Sequence, residues 1–183
     1  MALSRLETLA GILGVGVSRM RKIIVGAAVL VAAFSTAAQA DIKVGGWDVS
    51  DKPDKGVCTA SREYRDKDDE NRMNGIALVV SKDNAGKDIL VVSLAYEGWD
   101  WDKDEKTTAD FKIDRRVLYR KAVWQAADKT ILTGTFTQAD ELIDALGQGQ
   151  TMYLTFDKDS EANFRIPNAG MALGAAKLCL GKG

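Results

Sequence analysis

The sequence predicts an α+β protein, mainly antiparallel β: a sandwich-like sheet of about eight strands with two short helices in its C-terminal half. Three observations carry this. Short strand-like runs recur between turn clusters from residue 42 to residue 136. The hydrophobic period then changes, with Ala139, Leu142, Ile143 and Leu146 at i, i+3, i+4 and i+7. No internal repeat or low-complexity linker interrupts the pattern, and the only prolines are Pro53 and Pro167. Strands first and helices late is the order of an α+β domain.

The chain opens on a segment with its own logic. Met20-Arg21-Lys22 is followed by the apolar run Ile23–Phe34 and by Ser35-Thr36-Ala37-Ala38-Gln39-Ala40. A charged start, a short apolar centre and an Ala-x-Ala end are the three parts of a secretory signal peptide, cleaved after Ala40. The apolar run falls short of the roughly 20 residues that span a bilayer. Met20 opens a complete signal by itself, so it is the expected start, with residues 1–19 an over-long reading frame or an extended n-region. The expected mature chain is one β-rich domain, 41–183, without a transmembrane segment and working in the periplasm, at the cell surface or as a secreted protein.

The strands follow in order. Ile42–Val49 carries Trp47, and a turn at 51–56 leads to Val57–Arg65 with Cys58. Gly75–Ser81 and Asp88–Tyr96 flank a turn in which Asn84 and Gly86 supply positive φ. Both strands are almost continuously apolar, which places this hairpin at the centre of the sheet. Thr107–Ile113 and Arg116–Ala122 turn at Asp114-Arg115, and Ile131–Phe136 follows Asp128-Lys129. Thr137 is the expected N-cap of the first helix, with Asp140 and Glu141 in its first turn and Gly147 at its end. Thr151–Phe156 and Asn163–Ile166 are the last strands. Asn168 then caps Ala169–Leu180, where Gly170 and Gly174 share a face that permits close backbone approach.

Composition excludes several chemistries. The full chain carries net charge −1, and residues 1–40 hold four basic residues against one acidic, so the mature chain carries −4. That balance argues against a nucleic-acid partner. The chain has no histidine, so no Ser-His-Asp or Cys-His nucleophile can be assembled, nor a usual zinc site. It has no P-loop, no G-x-G-x-x-G after a strand and no Ser-x-x-Lys. Cys58 and Cys179 are the only cysteines, and in an exported chain such a pair reads as one structural disulfide. No cofactor and no catalytic residue is expected.

The running order Gly46-Trp47-Asp48-Val49, an early cysteine, a hydrophobic hairpin, Ile113-Asp114, a short Leu-rich helix and the closing Phe164–Leu173 resembles the invasion-associated locus B family of exported bacterial proteins. The resemblance implies a β-sandwich-like periplasmic or surface protein, of a family linked to host-cell entry in some pathogens. The family supplies no catalytic residues to carry over. This chain departs from it in having no cysteine between Cys58 and Cys179.

Tyr96, Trp99 and Trp101 are the candidate ligand-binding residues. The tryptophans alternate with Asp100 and Asp102, and in a strand both indoles point one way, ready to stack on a sugar ring or a peptide. The alternative is that they pack on the core rim while the aspartates face water. Acidic runs at 66–70, 100–105 and 157–161 lack the glycine and glutamate of a calcium loop and read as solvated turns. Arg115, Arg116, Arg120 and Lys121 form a basic cluster, suited to anionic lipid or glycan or to guarding a strand edge. The expected function is non-catalytic binding of an unknown protein or glycan partner in the envelope. A carboxylate-only cell-wall glycan hydrolase and a secreted inhibitor or adhesion factor are the alternatives.

Overall fold

A computed structural model describes residues 41–50, 53, 54, 56–137, 139–157 and 160–181. The expected signal peptide lies outside the described residues, as do Gln138, Asp159 and part of the turn at 51–56. The fold is mainly antiparallel β with two late helices, as the sequence predicts. The strands are β1 (Asp41–Val44), β2 (Trp47–Ser50), β3 (Cys58–Asp66), β4 (Arg72–Lys82), β5 (Asp88–Tyr96), β6 (Lys106–Ile113), β7 (Arg116–Asp128), β8 (Ile131–Thr137), β9 (Thr151–Thr155) and β10 (Glu161–Arg165). The helices are α1 (Asp140–Gln148) and α2 (Ala169–Leu180). All ten strands form one sheet in the order β1-β2-β3-β4-β5-β8-β7-β6-β9-β10.

The sheet curls so that its two halves face each other. Trp99, which follows β5, lies 5.8 Å from Phe164 on β10, and Arg165 on β10 donates its backbone N–H to the Tyr64 hydroxyl on β3 at 2.7 Å. The sandwich-like layers are thus halves of one continuous ladder. Trp47, Phe111, Trp124, Leu132, Leu146 and Phe164, fully buried, lie in one core cluster between them.

Two strand expectations change. The first expected strand, Ile42–Val49, is a hairpin: Gly45 and Gly46 both take positive φ, at 59° and 89°, and reverse the chain between β1 and β2. Glycine reaches that region without the Cβ clash that other residues meet. The expected strand Arg116–Ala122 continues to Asp128, because Trp124 and Ala126 alternate inward and reach β8. The apolar hairpin β4–β5 does take the middle of the sheet, and Ile76 through Val80 is buried at every position. In its turn only Gly86 has positive φ; Asp83 does the rest, its carboxylate accepting the N–H groups of Ala85 and Lys87 at 2.8 Å.

The helices also begin and end differently than expected. Thr137 closes β8 and Ala139 holds the N-cap position of α1, so Thr137 is no cap. Helix α1 ends at Gly149, while Gly147 lies inside it for another reason. A Cβ at Gly170 of α2 would stand 2.7 Å from the Gly147 carbonyl oxygen, so the two helices cross at backbone contact. Gly174, expected to share that role, has open space around it. Asn168 does hold the N-cap position of α2, but in the left-handed region, and its side chain accepts no helix N–H; its amide instead donates to the Gly45 carbonyl at 3.0 Å. Trp47 Nε1 donates to the Pro167 carbonyl at 2.8 Å, and Cys58 bonds Cys179 with 6.2 Å between their Cα atoms. Together these contacts fix α2 to β2 and β3.

Candidate functional site

The segment 97–105 closes one end of the curled sheet. Its backbone is held by the strand ends around it. Glu97 N–H donates to Met73 O at 3.0 Å, Trp101 N–H to Lys129 O at 2.8 Å and Asp104 N–H to Ala126 O at 2.9 Å. The segment is irregular rather than a strand, so the alternation of Trp99 and Trp101 with aspartate does not follow a pleat. Nevertheless the structure brings Tyr96, Trp99 and Trp101 together: Tyr96 to Trp99 spans 5.7 Å and Trp99 to Trp101 spans 6.2 Å, both edge to face. Edge-to-face contact is the favourable arrangement of ring quadrupoles. Gly98 is needed here, since a Cβ would meet the Tyr96 ring at 2.5 Å.

Two residues that local pattern did not single out complete the cluster. Phe156, just past β9, lies 5.7 Å from Trp101, and Phe164 lies 5.8 Å from Trp99. All three candidate rings are half-buried and packed against the core. The Trp101 indole N–H is buried and finds no acceptor among the described residues. The indoles therefore plug the rim and still present part of their surface to solvent.

Charged groups ring this plug. The Tyr96 hydroxyl donates to Asp69 at 2.6 Å and accepts from Arg72 at 2.8 Å. Burial, then the Asp69 bond, pushes its pKa up. Asp100 pairs with Lys129 at 3.0 Å, and Asp66, nearly buried, and Asp68 pair with Arg165 at 3.1 and 2.6 Å. Much of the expected solvated acidity is thus in ion pairs. Among the described residues no group of three or more His, Cys, Asp or Glu side chains is placed to hold a metal.

The opposite end carries two open depressions. One, of about 370 Å³, is lined by Lys82, Gly86, Lys87, Asp88 and Asp140. Asp88 there bonds Lys177 at 2.7 Å and Lys82 at 2.8 Å, and these hold its carboxyl below the usual range. A carboxylate so held is a poor proton donor near neutral pH. The other, of about 480 Å³, lies between the β6–β7 turn and the end of α1.

Fold and site define a disulfide-stapled, mainly antiparallel α+β domain with an aromatic plug at one end. No protein-family model matches the chain, and no curated protein matches it. Among solved structures, the crystal structure of invasion associated protein B from Bartonella henselae is similar, at 18% identity and TM-score 0.48 over 78% of this chain and 98% of that one. That protein bears the name of the family the sequence resembles. Among the described residues no helix is long and apolar enough to cross a membrane.

Proposed function

We propose that the protein is an exported, non-catalytic binding protein of the periplasm or envelope, and that it meets its glycan or peptide partner with the Tyr96–Trp99–Trp101 rim. The observation that carries this reading is the half-exposed ring cluster set among exposed charges on a stapled scaffold. Export is supported by the N-terminal pattern and by the disulfide, a bond that persists in oxidising compartments. Intact mass of protein recovered from cells expressing the full chain tests export; the expected N-terminus is Asp41, and Met1 or Met20 would overturn it.

For binding, arrays of cell-wall glycans and short peptides are the first measurement. Any ligand found should lose about fivefold or more in affinity with Trp99→Ala, since ring stacking contributes about 1 kcal/mol. The loss must appear at a temperature where circular dichroism shows the variant folded. Ligand affinity unchanged in Trp99→Ala and in Trp101→Phe would move the site elsewhere. Turnover of a glycan by the purified protein would replace binding with hydrolysis.

A further inference from the structure

Strands β7 and β8 separate partway along their length. Their ladder pairs only Gln125 with Thr133, Ala126 with Leu132 and Asp128 with Ile131. From there on, residues 116–124 of β7 pair with β6 alone, and residues 134–137 of β8 pair with β5 alone. Antiparallel strands turn the N–H and C=O groups of alternate residues away from a given partner. β7 therefore keeps an unpaired backbone edge in the middle of the sheet. Below it the core is sealed by rings rather than by hydrogen bonds: Tyr119 meets Phe136 at 4.9 Å, and Phe111 lies 5.3 Å from Phe136. The edge stays in solvent, with Val117, Arg120 and Lys121 exposed and Val123 at 62%.

The outer edges of the sheet offer less. β1 has four residues, and the β10 edge is engaged by Tyr64, Asp66 and Asp68 through Arg165. The β7 edge is also the basic part of an acidic chain. Arg116 pairs with Glu141 of α1, and Arg120 pairs with Asp110 at 3.5 Å. Arg115 and Lys121 have no ion-pair partner among the described residues. Bulges interrupt the edge at Lys121, with φ 48° and its N–H given to Asp110 at 2.8 Å, and again at Leu118, between the Phe111–Tyr119 and Lys112–Val117 pairs.

We propose that this edge takes up an extended acidic segment of a partner protein as an added strand. Main-chain hydrogen bonds to β7 would supply affinity, and the cations would select the partner. The same cations disfavour a second copy of β7, which would bring arginine against arginine. The surface lies apart from the aromatic rim and does not depend on it.

The test uses the full-chain protein and three blocked octapeptides: alternating Glu-Val, alternating Lys-Val and alternating Glu-Pro. The Glu-Val peptide should bind at least tenfold tighter than either control and slow amide hydrogen exchange within residues 116–123 at least tenfold. Arg115→Ser combined with Lys121→Ser should weaken that binding about tenfold with the unfolding temperature unchanged. Equal binding of the Glu-Pro peptide, which lacks alternate backbone donors, would show charge attraction alone and overturn strand addition. Unchanged exchange at 116–123 would overturn it too. Slow exchange there without peptide, with dimer in sedimentation, would assign the edge to a second copy instead.

Discussion

One end of the curled sheet is closed by helices and the other by aromatic rings, and the two closures work by different physics. At the helical end, α1 and α2 meet at Gly147 and Gly170, and a covalent bond ties α2 to β3. The Gly147–Gly170 contact cannot yield without moving backbone. At the other end, Tyr96, Trp99, Trp101 and Phe156 pack edge to face on an irregular segment, with ion pairs around them. Side chains can shift there while the strands stay in register. The contrast sets a closure made of backbone contact and a covalent bond against one made of side chains, the division between scaffold and binding surface that the proposed function calls for.

Breaking the staple should have the largest effect. Cys58→Ser frees a loop with sequence separation 121 and should cost about 4–5 kcal/mol in the chain-entropy description. Thermal unfolding measures it, and titration of the unfolded wild-type protein without reductant should find no free thiol. Next comes the aromatic end. Trp101→Ala should cost about 2–3 kcal/mol, less than a fully buried tryptophan because the ring is half-exposed. Trp101→Phe should recover most of that in denaturant titration. A negligible loss with Trp101→Ala would show that the rings close nothing.

Gly170→Ala should cost about 1–3 kcal/mol, since its methyl group would meet the Gly147 carbonyl. Gly174→Ala, in open space, should be neutral or slightly stabilising. The smallest effect is the pH dependence of the Lys82–Asp88–Lys177 group. Lys177, then Lys82, hold the Asp88 carboxyl below its ordinary 3.8. A depressed carboxyl contributes its stability above the unfolded value and loses it as pH falls through the folded one. Asp88→Asn should therefore destabilise by about 1 kcal/mol at pH 7, a penalty that fades as pH falls through the depressed value of the wild-type carboxyl.

The helical end was the more legible in sequence. Two cysteines allow one pairing, an i, i+3, i+4, i+7 pattern marks α1, and the unbroken apolar runs of β4 and β5 announce the sheet centre. Even there the caps were misplaced: Thr137 is strand, because pairing of β8 with β5 reaches Thr137 opposite Ile89. The Gly45-Gly46 reversal had a local signal in its two glycines, hidden inside an apolar run. The aromatic end was legible only in part. Tyr96, Trp99 and Trp101 stand out as a cluster in the chain, but Phe156 and Phe164 join them across the fold, and no periodicity within either strand encodes that contact. The parting of β7 from β8 is likewise a matter of sheet curvature, unreadable from either strand alone.

The disulfide also sets an order of events. In a chain that emerges N-terminus first, Cys58 appears well before Cys179, at a sequence separation of 121. Until the last helix arrives, Cys58 has no other cysteine in its own chain to pair with. Scrambling within one molecule is impossible, and the only wrong bond available is to another molecule. Each newly made chain thus passes through an interval as a lone thiol, during which β3 has no covalent tie to α2.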